Sequence, residues 1–251
     1  MCPELFGIDS YSLMCAIGLA AAISFLIMRR ERLEVGRVIL ASLIVSAVAG
    51  MILGSKIVFY LTQLPDMVKN HVTAGTYISK FIEAGYVFYG GVLGAYAGLL
   101  VCCKMTHIAQ SPVLNFFTPA FAFFHGFGRI GCFCAGCCYG IEVESFGFVM
   151  DGVRRFPVQL AESAFEFLLF AALLIVEKKV EKKKKSPKLS FYYLMIYSFA
   201  RFNLEFLRGD PIRGIWGPLS TSQWIALAII ATGSVSLPIL RQLRREARQT
   251  K

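Results

Sequence analysis

Seven apolar stretches, at 11–28, 38–61, 85–103, 112–127, 158–176, 189–207 and 221–240, divide this 251-residue chain into spans and short polar loops. A helix needs about 17–25 predominantly apolar residues to cross a bilayer. Six of the stretches meet that length; 112–127 is the weakest, bounded by Pro112 and the glycines Gly126 and Gly128. Lipid offers no partner to an unpaired backbone N–H or C=O, so helices are the default assignment. The expected fold is therefore all-α: a polytopic membrane protein of about seven transmembrane helices, with residues 1–251 forming a single transmembrane domain. Composition agrees. Charged residues make up 17% of the chain, against about 25% in a soluble domain, and mean hydropathy is +0.61. That excludes disorder and argues against a water-soluble globule; 22 Phe and 10 Tyr suit contact with lipid.

The net charge of +10 raises the question of nucleic acid, but the basic residues lie in clusters between apolar runs. Arg29, Arg30, Arg32 and Arg37 follow the first span, Lys104 the third, the lysine block 178–188 the fifth, and Arg241, Arg244, Arg245, Arg248 and Lys251 the seventh. All fall on one side, which the positive-inside rule makes cytoplasmic. The N-terminus is then outside, the C-terminus cytoplasmic, and the segments 62–84, 128–157 and 208–220 face outward. The lysine block reads as a solvated loop drawn to anionic headgroups. Membrane lipids are expected partners and nucleic acid is not. The first span has acidic residues before it (Glu4, Asp9) and lacks a basic leader and an A-x-A-like cleavage site, so it is not expected to be a cleaved signal peptide.

A charge within the hydrocarbon costs about 2.5–3.5 kcal/mol on insertion scales, so each one needs a partner or a purpose. In the sixth span Tyr197, Arg201, Glu205 and Arg208 are spaced by four, four and three residues, which places them on one helical face. In the fifth, Gln159, Glu162 and Glu166 recur at helical spacing and are positioned to answer those arginines across a helix interface. In the third, Gly90, Gly94 and Gly98 form a small-residue ridge for close helix approach, and Tyr89 with Gly90 and Gly91 marks its outer mouth.

The segment from His125 to Gly140, HGFGRIGCFCAGCCYG, is read as a glycine-freed turn where the fourth span exits. Arg129 there can fork two N–H groups onto a phosphate, and His125, one helical turn earlier, is a candidate proton carrier. Cys132, Cys134, Cys137 and Cys138 crowd the same segment, with Cys134 and Cys137 formally a C-x-x-C pair. No second well-spaced ligand pair follows, so a mononuclear zinc site is not expected. No metal and no cofactor is assigned. Cys2, Cys15, Cys102 and Cys103 read as packing thiols.

Taken together these residues resemble the prolipoprotein diacylglyceryl transferase family. The resemblance rests on Phe88-Tyr89-Gly90-Gly91, Gly128-Arg129-Ile130-Gly131-x-Phe133, Gly136 to Gly140, Pro157-x-Gln159-Leu160-x-Glu162, Tyr197-x-x-x-Arg201-Phe202-x-x-Glu205-Phe206-x-Arg208 and Ser220-x-Ser222-Gln223, which occur in the family's order. It implies seven spans and transfer of the diacylglyceryl group of phosphatidylglycerol to the lipobox cysteine thiol in the signal peptide of a lipoprotein precursor. The place would be the outer face of the bacterial cytoplasmic membrane. Arg129 would bind the lipid phosphate and Arg201 would stabilise the leaving group. Glu162 and Glu205 would orient the guanidiniums, Tyr197 would hydrogen-bond within the site, and Gly90, Gly91, Gln159 and Arg208 would complete the substrate surface. This reading requires the side chains at 129 and 201 to share one chamber.

The chain departs from the pattern at the family's His-Gly-Gly, whose His is the suggested thiol base, because Tyr89 stands there. A tyrosine of pKa about 10 is a poor base at neutral pH, which leaves His125, or the arginine field alone, to ionise the thiol. Gly-Cys-Phe at 131–133 replaces Gly-Asn-Phe, and Asn115 stands where an aspartate is usual. Competing readings are a divergent paralogue with another acceptor, a membrane thiol oxidoreductase using the outer cysteines, and an anion or lipid transporter. The last is expected to carry an inverted repeat, and none is visible in the sequence.

Overall fold

The computed structural model describes residues 4–5, 7–69, 88–150, 152–182, 188–210 and 214–249, with backbone alone at 5, 62–69, 88 and 236–249. Among the described residues there are seven α-helices, one for each apolar stretch: α1 Ser10–Met28, α2 Arg37–Lys69, α3 Phe88–Met105, α4 Gln110–Ala135, α5 Val158–Lys182, α6 Leu189–Leu204 and α7 Thr221–Gln249. Single 3-10 turns at Arg30–Arg32 and Glu205–Leu207 follow α1 and α6. The strands are short antiparallel pairs: β1 Glu4–Leu5 with β2 Ile8–Asp9, β3 Phe148–Met150 with β4 Val153–Arg155, and β5 Ile215–Trp216 with β6 Leu219–Ser220. Three helical segments, Ser10–Met28, Arg37–Leu61 and Val158–Lys182, are long and apolar enough to cross a membrane, and Tyr89–Met105 and Thr221–Val235 are shorter apolar helices. Large apolar side chains stand outward on them and on α6, including Val38, Val45, Leu168 and, on α6, Phe199, the last 67% exposed. In water such a surface would cost free energy; in hydrocarbon it costs none.

The chain divides into two compact units. One is Phe25–Phe117, built around α2 and α3. The expected ridge of Gly90, Gly94 and Gly98 is present on α3, and it meets a matching ridge on α2. A Cβ added at Gly94 would strike the carbonyl of Gly50, one at Gly90 the carbonyl of Gly54, and one at Gly98 the carbonyl of Ser46. Backbones this close replace side-chain packing with direct van der Waals contact, the usual source of helix association in lipid. Gly91 faces Met51 and Ser55 of the same helix, and Tyr89, buried, opens the first turn of α3. α2 continues to Lys69, eight residues into the segment expected as an outward loop; the rest of that loop, 70–84, lies outside the described residues, as do Cys2 and positions 183–187 of the lysine block.

The other unit is Met1–Ser24 with Thr118–Lys251. Asp9 caps α1, its Oδ2 accepting the Ser12 N–H at 2.8 Å, which holds the exposed carboxyl below its ordinary range. Here the structure corrects the sequence reading. Gly126, Gly128 and Gly131 do not end a helix: α4 runs through all three to Ala135. The reason is packing. A Cβ at Gly126 would meet the Phe167 ring at 2.8 Å, and one at Gly131 would press on Met14 and Tyr11. The glycines weaken the helix intrinsically by about 1 kcal/mol each but let neighbouring side chains lie against its backbone. Arg129, Cys132 and Cys134 are therefore helical residues, and the turn begins only at Gly136, where φ is +74°.

After that turn the strip 139–143 is sewn to the end of α6. Gly209 N–H donates to the Tyr139 carbonyl and Ile141 N–H to the Leu207 carbonyl, both at 2.9 Å. Gly140 and Gly209 have no room for a Cβ: one at Gly140 would strike the carbonyls of Phe156 and Leu207, and one at Gly209 the carbonyl of Gly140. This stitching fixes Arg208 beside the residues of α4 and α5. α7 is started by Ser220 and Gln223: Gln223 N–H donates to Ser220 Oγ at 3.2 Å and Ser220 N–H to Gln223 Oε1 at 2.9 Å. That reciprocal arrangement is a capping box, and it gives the Ser220-x-Ser222-Gln223 motif a structural purpose. Gln223 also donates to the Phe202 carbonyl at 3.3 Å, tying α7 to α6.

Candidate active site

Within the second unit described, α4, α5 and α6 each bring ionisable side chains at helical spacing to one place. Glu162 is the centre. It is 1% exposed, and its Oε2 lies 3.0 Å from Arg129 Nε and 2.9 Å from Arg201 Nη1. Its Oε1 accepts the Tyr197 hydroxyl at 3.1 Å and stands 3.7 Å from His125 Nε2. One carboxylate on α5 thus gathers groups from two other helices, α4 and α6.

Around it the charges pair in order. Arg201 Nη2 meets Glu205 Oε2 at 2.6 Å. Arg208 Nη1 reaches the same Glu205 oxygen at 3.6 Å, and Arg208 grips Asp210 in a bidentate fork, Nε to Oδ1 at 2.8 Å and Nη2 to Oδ2 at 2.6 Å. Burial works against the Arg208 charge, but the Asp210 hydrogen bonds and the nearby Cys138 and Glu205 outweigh it and hold the guanidinium above its ordinary value. His125 Nδ1 lies 3.0 Å from Glu166 Oε1, and the imidazole sits edge-on to the Tyr197 ring, centroids 5.2 Å apart. Tyr193 stacks on Tyr197, ring centroids 5.9 Å apart. Arg129, Arg201 and Arg208 therefore face Glu162, Glu205 and Asp210, with His125 and Glu166 as an adjoining pair.

Arg129 differs from the other two arginines. It is only 7% exposed; its Nη1 has nothing firmer than the Cys132 thiol sulfur at 3.3 Å, and its Nη2 is buried with no hydrogen-bond partner among the described residues. A buried guanidinium N–H left unpaired costs free energy, about 1–3 kcal/mol or more for a charged group. An anion at that face removes the cost. Oxyanions of phosphate match a guanidinium fork in geometry and charge.

Of the residues singled out in the sequence, Arg129, His125, Glu162, Tyr197, Arg201, Glu205 and Arg208 converge on this cluster. Gln159 stands beside it, its Nε2 donating to the Cys137 carbonyl at 2.8 Å, so that it anchors the turn. Tyr89, Gly90 and Gly91 belong to the other unit. Sequence reading passed over Asp210, whose signal was the spacing Arg208-x-Asp210, and named Glu166 without its histidine partner. The cysteines also group differently from the C-x-x-C spacing. The sulfurs of Cys132, Cys137 and Cys138 lie within 4.8 Å of one another, while Cys134 is outside that group; all are free thiols. Hydrogen bonds from the Cys132 and Cys137 thiols hold Cys138 well below the usual thiol range.

Apolar helices around a buried guanidinium–carboxylate cluster with an unsatisfied cationic face define a membrane protein with a buried ion-pair centre. Sequence comparison says which kind. Residues 3–239 match the pattern of the prolipoprotein diacylglyceryl transferase family, and the chain belongs to that family. It is 33% identical over 240 residues to the phosphatidylglycerol–prolipoprotein diacylglyceryl transferase of Clostridium tetani, covering 92% of this chain and 93% of that protein. It is likewise 33% identical over 240 residues to phosphatidylglycerol–prolipoprotein diacylglyceryl transferase 2 of Clostridium perfringens, covering 92% and 91%. The Finegoldia magna protein of the same name is 27% identical over 238 residues.

Proposed function

We propose that this chain is a transferase that moves the diacylglyceryl group of phosphatidylglycerol onto the lipobox cysteine of a lipoprotein precursor. The site lies at the outer face of the bacterial cytoplasmic membrane, in a single transmembrane domain, residues 1–251, whose seven spans run from an outer N-terminus to a cytoplasmic C-terminus. The observation that carries the reading is the unpaired, buried face of Arg129, held against Glu162 beside Arg201.

In the reaction the cysteine sulfur attacks the glycerol carbon that bears the phosphate. The new bond is a thioether; the bond that breaks joins that carbon to the phosphate ester oxygen, and glycerol phosphate departs with the electron pair. Negative charge grows on the departing phosphate, so fixed cations already in place lower the barrier. Arg129 offers its free Nη2 edge to the lipid phosphate, and Arg201, one carboxylate oxygen away, meets the charge as it develops. Glu162 and Glu205 hold the two guanidiniums in register, Tyr197 holds Glu162, and Gln159 and Arg208 keep the loop and the end of α6 in position. His125 takes the thiol proton, with Glu166 at Nδ1 steadying the imidazolium, the base-and-orienter arrangement common in nucleophilic catalysis. Gly90 and Gly91 serve by letting α3 approach α2, which sets where Tyr89 stands.

The test is purified protein with phosphatidylglycerol and a lipobox peptide, read by mass spectrometry. The expected product is the diacylglyceryl thioether of the peptide; intact peptide with the wild-type protein, under conditions where a family enzyme converts it, overturns the reading.

A further inference from the structure

The transferase reading leaves three thiols unused. Cys132 lies on the last turns of α4, and Cys137 and Cys138 lie in the turn that follows. That turn bends sharply: Gly136 and Cys138 both have left-handed backbone, φ +74° and +56°. A left-handed non-glycine residue is uncommon and costs free energy. Here it folds the chain back so that three sulfurs face one another. The turn is pinned by Cys137 N–H donating to the Cys132 carbonyl at 3.1 Å and by Gln159 holding the Cys137 carbonyl.

We propose that Cys132, Cys137 and Cys138 form a three-thiolate site for a soft metal ion of the zinc class. Sulfurs bound at about 2.3 Å around one zinc ion stand about 3.8 Å apart, and these three lie within 4.8 Å of one another, so closure needs rotamer adjustment and no backbone rearrangement. Thiolates select zinc-like and monovalent copper-like ions over hard ions such as magnesium. Among the described residues the group holds three protein ligands, so a fourth position is left to water or to an added thiol, as in open zinc sites. Binding displaces to solvent the protons that the thiols still hold, and the resulting negative charge is offset by the Arg129 guanidinium, whose Nη1 is 3.3 Å from Cys132 Sγ. Cys137 is exposed and gives the ion its way in.

The test uses the full chain in detergent, reduced, treated with chelator and titrated with Cd2+ and Zn2+. One Cd2+ per chain should bind with a sulfur-to-cadmium charge-transfer band, and Cd2+, the softer ion, should displace Zn2+ loaded first. The band should be lost in C132S, C137S and C138S and kept in C134S. On the wild-type protein, where no variant folding is at stake, Zn2+ should protect Cys137 and Cys138 from alkylation while Cys134 remains reactive. Absence of a stoichiometric band, equal loss in C134S, or unchanged alkylation of Cys137 and Cys138 would overturn the site. The readouts do not depend on transferase activity, so the two readings fail separately.

Discussion

Arg129 on α4 and Arg201 on α6 are joined through a single atom: Oε2 of Glu162 lies 3.0 Å from the first and 2.9 Å from the second. Two buried guanidiniums at this separation repel, and the carboxylate between them is what makes the arrangement tenable. A transferase site of this kind needs the two arginines in one chamber, and here they share one carboxylate oxygen.

Removing that charge should therefore be costly in stability as well as activity. Glu162→Gln keeps the shape but leaves two buried cations short of a partner, and breaking a buried pair costs about 3–5 kcal/mol. Thermal unfolding in detergent should fall well below wild type. An unchanged midpoint would mean that the cluster contributes little.

Arg129→Ala should lower lipid transfer by about 10²–10³-fold, the loss typical of one preorganised charge-stabilising donor, with membrane insertion intact. Arg129→Lys should not restore it, because an ammonium cannot reproduce the fork. Full activity in either variant, measured with the lipobox peptide, removes Arg129 from the site.

His125→Gln should slow thiol modification more than Tyr89→Phe does. Because His125 and Glu166 are in contact at 3.0 Å, Glu166→Gln combined with His125→Gln should add little further loss, the non-additivity expected of neighbours. If Tyr89→Phe is the slower variant, or the double mutant is fully additive, His125 is not the proton acceptor.

Ser220→Ala should destabilise the chain by about 1 kcal/mol through loss of the α7 cap. Gln223→Ala should cost at least as much, because Gln223 also holds the Phe202 carbonyl. Denaturation of the two variants side by side measures both, and a Gln223→Ala protein more stable than Ser220→Ala contradicts the capping-box geometry.

Gly94→Val places a branched side chain against the Gly50 carbonyl and should separate α2 from α3 at a cost of about 1–3 kcal/mol or more, as overpacking does. Gly36→Ala, where an added Cβ meets nothing within 4 Å and the backbone is not left-handed, is the comparison for glycine loss without a clash. Equal thermal midpoints for the two would show that the ridge is not a tight contact.

Each apolar run coincides with a helix among the described residues, because hydrocarbon tolerates no unpaired backbone, and spacing by three and four announced which polar residues share a face. The family motifs named most of the cluster. The end of α4 was not legible: glycine propensity pointed to a turn at 126–131, and only the Phe167, Met14 and Tyr11 side chains seated on those glycines show why a helix survives there. Nor did spacing reveal the thiol group, since C-x-x-C pairs Cys134 with Cys137, whereas the helical path of 132–135 and the left-handed turn bring Cys132 to Cys137 and Cys138 instead.

Sequence alone determined the apolar, mostly helical character of this chain and the residue types it buries at a cost, because those follow from one-dimensional period and composition. The tertiary structure decided which charges meet. Pairing energies depend on distances of a few ångströms between residues as remote in sequence as Glu162 and Arg201, 39 positions apart, and no local pattern specifies that Arg129 would be left with an open edge while Arg201 and Arg208 are engaged with Glu162, Glu205 and Asp210.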